Sequence, residues 1–283
     1  MLSVKSKNSI TESFDEYPGL AMIYYEKIAK NYNNQNASLS WRLLDYLTKE
    51  TLQPFLPHDV FMLDVGCGTG KWSMIMCMEQ NCQSILLDIS KQMLRLAKHK
   101  CAEKRLLRVV DFVRADVRFL PFRKSIFDLI LAELDVISYC KNTQMSLKEF
   151  NRVIKDQGVV HASVDSVYDV IRNFLLESKI DEAINVLQKH IFSFDNGDGV
   201  KVYSKAFLSA EIKDFFEKCG FDVVRIVGNP IVLHLLPKEL RNKLMSNEEL
   251  FAKILEIEVA LYRIPSLVDV APHIEVLAKK SGR

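Results

Sequence analysis

Asp64, Gly66, Gly68 and Gly70 fall within Leu63-Asp64-Val65-Gly66-Cys67-Gly68-Thr69-Gly70-Lys71-Trp72-Ser73, an acid followed by glycines at alternate positions. The preceding run Val60-Phe61-Met62-Leu63 is continuously apolar, the pattern of a central parallel strand covered on both faces. The glycines let the backbone turn sharply, and a helix expected from about Lys71 aims its free N–H groups back into that turn. Such a strand, turn and helix form a cradle for an anionic or nucleotide-like ligand. A second acid, Asp88, closes the apolar run Ile85-Leu86-Leu87, just before Ser90, which is placed to cap a helix. An acid at the tip of the second strand of such a unit is where a ribose diol is read.

Glycine spacing separates two cofactor classes. A dinucleotide fold needs a glycine three residues beyond Gly68, for close packing of helix on strand. That position is Lys71. The D-x-G-x-G-x-G pattern instead resembles motif I of the class I S-adenosylmethionine-dependent methyltransferases, most closely the ubiquinone/menaquinone-methyltransferase-like branch, which often reads LDVGCGTG. Further segments match in the right order: Val109-Val110-Asp111-Phe112-Val113-Arg114-Ala115-Asp116, then Leu120-Pro121-Phe122, then Phe127-Asp128-Leu129-Ile130-Leu131.

The resemblance implies S-adenosylmethionine as cofactor and S-adenosylhomocysteine as product. It places Asp64, Gly66, Cys67, Gly68 and Gly70 at the turn, Asp88, Ile89 and Met93 around the ribose, and Glu133 at the end of the fourth strand. Asp116 and the amide of Val117 would meet the adenine. In the family the N-terminal segment folds over the cofactor, which would bring Tyr25, Tyr32 and Arg42 to the methionine end, with Arg42 pairing the carboxylate.

The same resemblance implies a Rossmann-like, doubly wound α/β sheet of seven strands, order 3-2-1-4-5-7-6 with the last strand antiparallel, carrying helical lid insertions. Strands are expected at 60–65, 84–88, 109–115, 127–131, 157–164, 221–228 and 273–279, and crossover helices near 71–80, 91–104, 142–154 and 207–219. Residues 1–57 would hold a loose polar start and two helices, 17–34 and 38–55, covering the cofactor. The core would occupy 58–165, 207–230 and 272–283. Two stretches exceed that core: 166–206, read as a helix over 167–190 followed by a hairpin around Asp195-Asn196-Gly197-Asp198-Gly199, and 231–271, read as helices punctuated by Pro237 and Pro265. Both are expected as lids.

Composition bounds the partners. The chain has 283 residues, 48% hydrophobic and 26% charged, as an ordinary globular protein does. A formal net charge of only +2 argues against a dedicated nucleic-acid surface. The basic group Lys98-His99-Lys100, Lys104-Arg105 and Arg108 reads as cations ending a helix. There is neither a membrane-length apolar run nor an apolar signal core at the N-terminus, so a cytoplasmic location is expected. Cysteines 67, 77, 82, 101, 140 and 219 contain no C-x-x-C pair, and the Asp/Gly loop lacks EF-hand spacing, so neither disulfides nor a metal is expected.

Methyl transfer from a sulfonium is an in-line displacement in which the protein aligns the acceptor and excludes water. Ligands of parallel sheets sit beyond the carboxyl ends of the strands. That places Glu133 and Asp135 after strand four and Asp165 and Tyr168 after strand five, with Tyr139 and His190 in the same region. Asp165 is the preferred catalytic candidate, with Asp135 and Tyr168 behind it. The Asn/Asp-Pro-Pro-Tyr motif of amide and DNA-adenine methyltransferases is absent after strand four. The reading is a small-molecule methyltransferase, N-methylation ahead of O- or C-methylation. The alternatives are a peptide or RNA methyltransferase, or a non-catalytic methyltransferase-like binding protein.

Overall fold

The computed structural model describes residues 18–35, 39–195, 200–244 and 246–282. Helices α1 (Pro18–Gln35) and α2 (Leu39–Leu52) lead into β1 (Asp59–Val65), α3 (Lys71–Glu79), β2 (Asn81–Asp88), α4 (Lys91–Glu103), β3 (Val110–Arg114) and β4 (Phe127–Ala132). After α5 (Thr143–Val153) and β5 (Ile154–Asp165) come α6 (Val167–Leu176), α7 (Ile180–Lys189) and the hairpin β6 (Ile191–Phe194) and β7 (Val202–Lys205). The chain closes with α8 (Ser209–Lys218), β8 (Phe221–Asn229), α9 (Lys238–Leu244), α10 (Glu248–Leu261) and β9 (His273–Lys280).

Seven strands form one sheet in the order β3-β2-β1-β4-β5-β9-β8, the order expected from the sequence. β1 to β5 run parallel, and β9 lies antiparallel between β5 and β8. Continuous apolar strands bury both faces. Leu63, Ile130, Val160 and Val276 pack towards Phe150 and Phe216, while their neighbours Met62, Leu129, Val159 and Leu277 pack towards Trp72 and Met76. Every parallel strand therefore ends on the same edge, and the register Asp165↔His273↔Asn229 brings β9 and β8 to that edge as well.

The expected single helix over 167–190 is two helices. Ser178 is left-handed (φ 58), and the amides of Ser178 and Lys179 close back on Leu175 and Phe174, a helix-ending pattern that normally advertises itself with glycine. The hairpin that follows is present as β6 and β7. Residues 196–199 of its expected loop, like the loose polar start, lie outside the described residues, and α1 continues one residue past its expected end, to Gln35.

The two insertions take different places. The 166–206 segment reaches α1 through Tyr24 and Phe194, whose rings are 5.6 Å apart. The 231–271 segment instead builds its own core: Ile231, Leu233, Phe251 and Tyr262 pack on Leu43 and Leu47 of α2. Its side chains do not line the cavity described below, so it braces α2. No described side chain of 166–206 lines that cavity either, and of the two N-terminal helices only α1 does, through Ala21, Tyr25 and Tyr32. Among the described residues no helix is long and apolar enough to cross a membrane.

One buried acid holds the 231–271 segment together. Glu258 of α10 is fully buried, and its carboxylate accepts the amides of Ile231 (2.7 Å), Val232 (2.9 Å) and Leu233 (2.6 Å). Glu258→Ala strands all three donors, at about 1–3 kcal/mol for each one left unpaired. We expect it to lower the unfolding free energy by about 3 kcal/mol or more, and Glu258→Gln, which keeps an acceptor oxygen, to lose less. Urea denaturation of the two variants checks this; equal midpoints would contradict it.

Candidate active site

The turn after β1 is held by two carboxylates. Asp64, buried at the strand's end, accepts from the amide (3.1 Å) and hydroxyl (2.7 Å) of Ser73 in the first turn of α3. Burial pushes Asp64 up to about 7, against the Ser73 hydrogen bonds that pull it down. Asp88, at the end of β2, accepts from the amides of Gly68 (2.9 Å) and Ser90 (2.8 Å), and Ser90 caps α4 through the Met93 amide. Burial raises Asp88 to about 6 despite those amides. Gly66, Gly68 and Gly70 all have positive φ (63°, 52° and 82°). A Cβ on Gly66 would strike Val136 at 2.4 Å and one on Gly70 would strike Leu86 at 2.9 Å, whereas at Gly68 the nearest atom is Tyr32 Cε1 at 3.8 Å. The first and third glycines thus serve packing, and the middle one faces open space.

That space is a cavity running across the tips of β3, β2, β1 and β4. It brings together most of the residues expected at the cofactor: Asp64, Gly66, Cys67 and Gly68, then Asp88, Ile89 and Met93, then Asp116, Val117, Glu133, Tyr25 and Tyr32. α1 covers it because Glu26 accepts the amides of Lys91 (2.6 Å) and Gln92 (3.3 Å), an acid set on the positive end of α4. Asp116 is gripped by Arg118, whose Nε lies 3.0 Å from Oδ1 and whose second nitrogen lies 2.5 Å from Oδ2. Burial alone would raise Asp116, but Arg118 leaves it below the usual carboxylate range. Two expected residues are elsewhere. Gly70 packs between strand and helix. Arg42 turns outward to Glu248 (2.6 Å) and over Phe251, because α2 rests on the 231–271 segment rather than on the cavity. The cation at that end is Lys71, which lines the cavity with its Nζ 2.5 Å from Asp45.

This geometry has relatives. The family described as "Methyltransferase domain" matches residues 62–158. An uncharacterized protein of Methanocaldococcus jannaschii is 30% identical over 229 residues, covering 79% of this chain and 85% of that protein. A demethylmenaquinone methyltransferase of Staphylococcus aureus is 26% identical over 239 residues, covering 77% of this chain and 92% of that protein. In fold, an S-adenosylmethionine-dependent methyltransferase from Clostridium acetobutylicum superposes with a TM-score of 0.59 over 91% of this chain and 99% of that one, at 17% identity. The chain belongs to the class I S-adenosylmethionine-dependent methyltransferases.

The edge formed by the carboxyl ends of β4 and β5 and the amino end of β9 carries further polar groups of the methyltransferase. Leu134 and Asp135 are consecutive left-handed residues (φ 58° and 65°), a conformation that costs non-glycine residues energy and collects at functional sites. Two bonds hold them there: Ser163 Oγ accepts the Asp135 amide (3.0 Å), and Asp135 Oδ2 lies 2.8 Å from His273 Nδ1. Burial and then Asp135 push Asp165 well above the usual carboxylate range, and Ser204 donates to its Oδ2 (2.8 Å). Burial lowers His273, but Asp135 and Asp165 more than reverse it, to about 9. Asp135 and Asp165 thus share one cluster, as expected. Tyr168 does not join it: its side chain is half-exposed on α6 and outside the cavity lining. His190 instead faces Glu211 (3.0 Å).

Sequence reasoning missed His273, Lys71 and Arg118, whereas Leu134 and Val136 lie in the stretch after strand four that it placed at the floor of the site. His273 and Lys71 meet partners distant in sequence, Asp135 and Asp45, so no local spacing announced them, while Arg118 stands two residues from Asp116. An aromatic group closes this end. Tyr25 lies edge-on to Tyr139 (5.8 Å), and Tyr139 to Phe194 (6.2 Å), joining α1, the loop after β4 and the β6 strand.

The glycines separate folding from binding. Gly70→Ala, with its new Cβ against Leu86 and Ala97 at positive φ, is expected to lose about 1–3 kcal/mol of stability. Gly68→Val meets little protein but is strained at its positive φ (52°), so it should lose some stability too and, once folded, should lose S-adenosylhomocysteine. Thermal melts beside calorimetry of both variants test the distinction; full ligand affinity in folded Gly68→Val would place the ligand elsewhere.

Proposed function

We propose that this methyltransferase acts on a small molecule and that the accepting atom is nitrogen. The small-molecule reading rests on the aromatic group Tyr25, Tyr139 and Phe194, which narrows the acceptor end with rings where a peptide or RNA would need an open, cationic groove. Bound S-adenosylmethionine would supply a methyl group already activated by the positive sulfur. Asp88 would accept from the ribose hydroxyls, Asp116 and the Val117 amide would face the adenine, and Lys71 would take the carboxylate place expected for Arg42. Tyr25 and Tyr32 of α1 would exclude water from the reacting centre.

The nitrogen reading rests on where protons already sit. A hydroxyl or carbon acceptor must surrender a proton as it attacks, so a free base must stand ready. At the carboxyl edge burial and Asp135 favour the neutral form of Asp165, and His273, at about 9, is held protonated. A neutral amine attacks without prior deprotonation and releases its proton afterwards. Asp165 then serves as a neutral hydrogen-bonding acid that positions the acceptor, rather than as the base its strand-end place predicts.

Mass spectrometry of ligands released on denaturation, followed by transfer of a radiolabelled methyl group into cell extracts, tests the proposal. Label in small amines is expected; label confined to protein or RNA would overturn it. Asp165→Asn, which mimics the neutral acid, is expected to retain transfer within about tenfold at neutral pH, short of the roughly 10²–10⁴-fold losses typical of a missing base.

Asp88 sets a pH dependence. Its folded value of about 6 means that the carboxylate prevails above pH 6 and the neutral acid below. Charge-assisted acceptance from a diol needs the carboxylate, so affinity for S-adenosylhomocysteine should be high at pH 7–8 and fall as pH drops through 6. Asp88→Asn should bind more weakly and lose that dependence. An identical pH profile in wild type and variant would remove Asp88 from the site.

A further inference from the structure

Behind Glu133 the sheet buries charge that its packing does not require. Glu133 Oε1 is 2.5 Å from His161 Nδ1, and the opposite nitrogen of His161 lies 3.5 Å from Glu275 Oε2. His161 is fully buried on β5, between Leu131 of β4 and Leu277 of β9 in register. Glu275 is equally buried, and its other oxygen accepts from Thr48 of α2 (2.6 Å) and Asn229 of β8 (2.7 Å). His161 Nε2 and Glu275 Oε2 have no hydrogen-bond partner. Exchanging such a buried ionic group for apolar side chains is often neutral or stabilising, so its presence needs a reason other than packing. The reason lies at its only opening: Glu133 alone of the trio lines the cavity.

The order of the tips says what Glu133 faces. Across the sheet Asp116 follows β3, Asp88 ends β2, the glycine turn follows β1 and Glu133 follows β4. Neighbouring strands are about 4.8 Å apart, so Glu133 stands about 10 Å beyond Asp88, on the side away from Asp116. With adenosine held at Asp116 and Asp88, as in the proposed function on which this inference rests, the amino-acid arm of the cofactor extends towards Glu133. We propose that Glu133 receives the α-ammonium of that arm and that His161, backed by Glu275, is a positioning residue that fixes the Glu133 carboxylate towards it.

The electrostatics agree. Burial lowers His161, but Glu133 and Glu275 on either side more than reverse it. Burial raises Glu275 to about 7, with His161 opposing and Glu133 adding to the rise. Asp64, Asp45 and Lys71 complete the charged surroundings. With two acids set on one imidazole, the trio offers more acidic than basic groups to an ammonium. Lys71, on the same wall, is placed for the carboxylate of the same arm.

Calorimetry with two ligands tests this: S-adenosylhomocysteine, which carries the arm, and 5′-methylthioadenosine, which lacks it. Glu133→Gln is expected to weaken S-adenosylhomocysteine about 10- to 100-fold while 5′-methylthioadenosine changes less than about twofold. His161→Leu should show the same split at smaller size, and His161→Gln, which keeps a donor, should recover part of it. Glu275→Gln keeps an acceptor for Thr48 and Asn229 and carries the test if His161→Leu does not fold; it too should weaken the arm-bearing ligand selectively. Equal losses for both ligands, or no loss for either, would reduce the trio to a structural role and overturn the proposal. Failure of the wild type to bind either ligand would overturn the cofactor assignment itself.

Discussion

The turn between β1 and α3 depends on two carboxylates kept out of water. Asp64 ties the end of β1 to Ser73, and Asp88 reaches from the end of β2 to the Gly68 amide, so adjacent strand tips are bolted to the loop between them. Both acids stand above their unfolded values, at about 7 and about 6, so ionising them in the ligand-free protein costs stability as pH rises through that range. What the arrangement secures is position. Gly66 and Gly70 have no room for a Cβ, so the loop cannot relax sideways, and the middle glycine is left facing the cavity.

The same exchange of stability for placement runs along the carboxyl edge. Glu133 with His161 and Asp135 with His273 each set an acid against an imidazole where strands end. Left-handed Leu134 and Asp135 add backbone strain at the same point. Buried ion pairs are weak evidence for stability. Their concentration beside the cavity fits a site whose protonation and geometry are set in advance.

Surplus chain has gone to two ends. α6, α7 and the β6–β7 hairpin bring Phe194 to Tyr24 and Tyr139, against the α1 helix that covers the cavity. The 231–271 segment, organised around Glu258, supports α2 and through it Thr48, which bonds Glu275. Support for the cofactor wall therefore comes from a segment that never reaches the cavity.

The sequence by itself determined the strands, the glycine turn and the acids that end the first strands, because each is written in a local pattern: an apolar run of strand length, an acid at its end, glycines where φ must be positive; the sheet order followed from the family resemblance those patterns carry. It also marked Asp135 and Asp165 as strand-end neighbours. Only the tertiary structure decided how those residues behave. Arg42 left the cavity because α2 packs on α10, and Asp165 is pushed towards its neutral form because folding buried it beside Asp135. The helix break at Ser178 and the left-handed pair at Leu134 and Asp135 carry no glycine to announce them. Glu133 just beyond β4, His161, Glu275 and Thr48 are far apart in sequence, and a chain of polar contacts among them exists only once β4, β5, β9 and α2 have packed together.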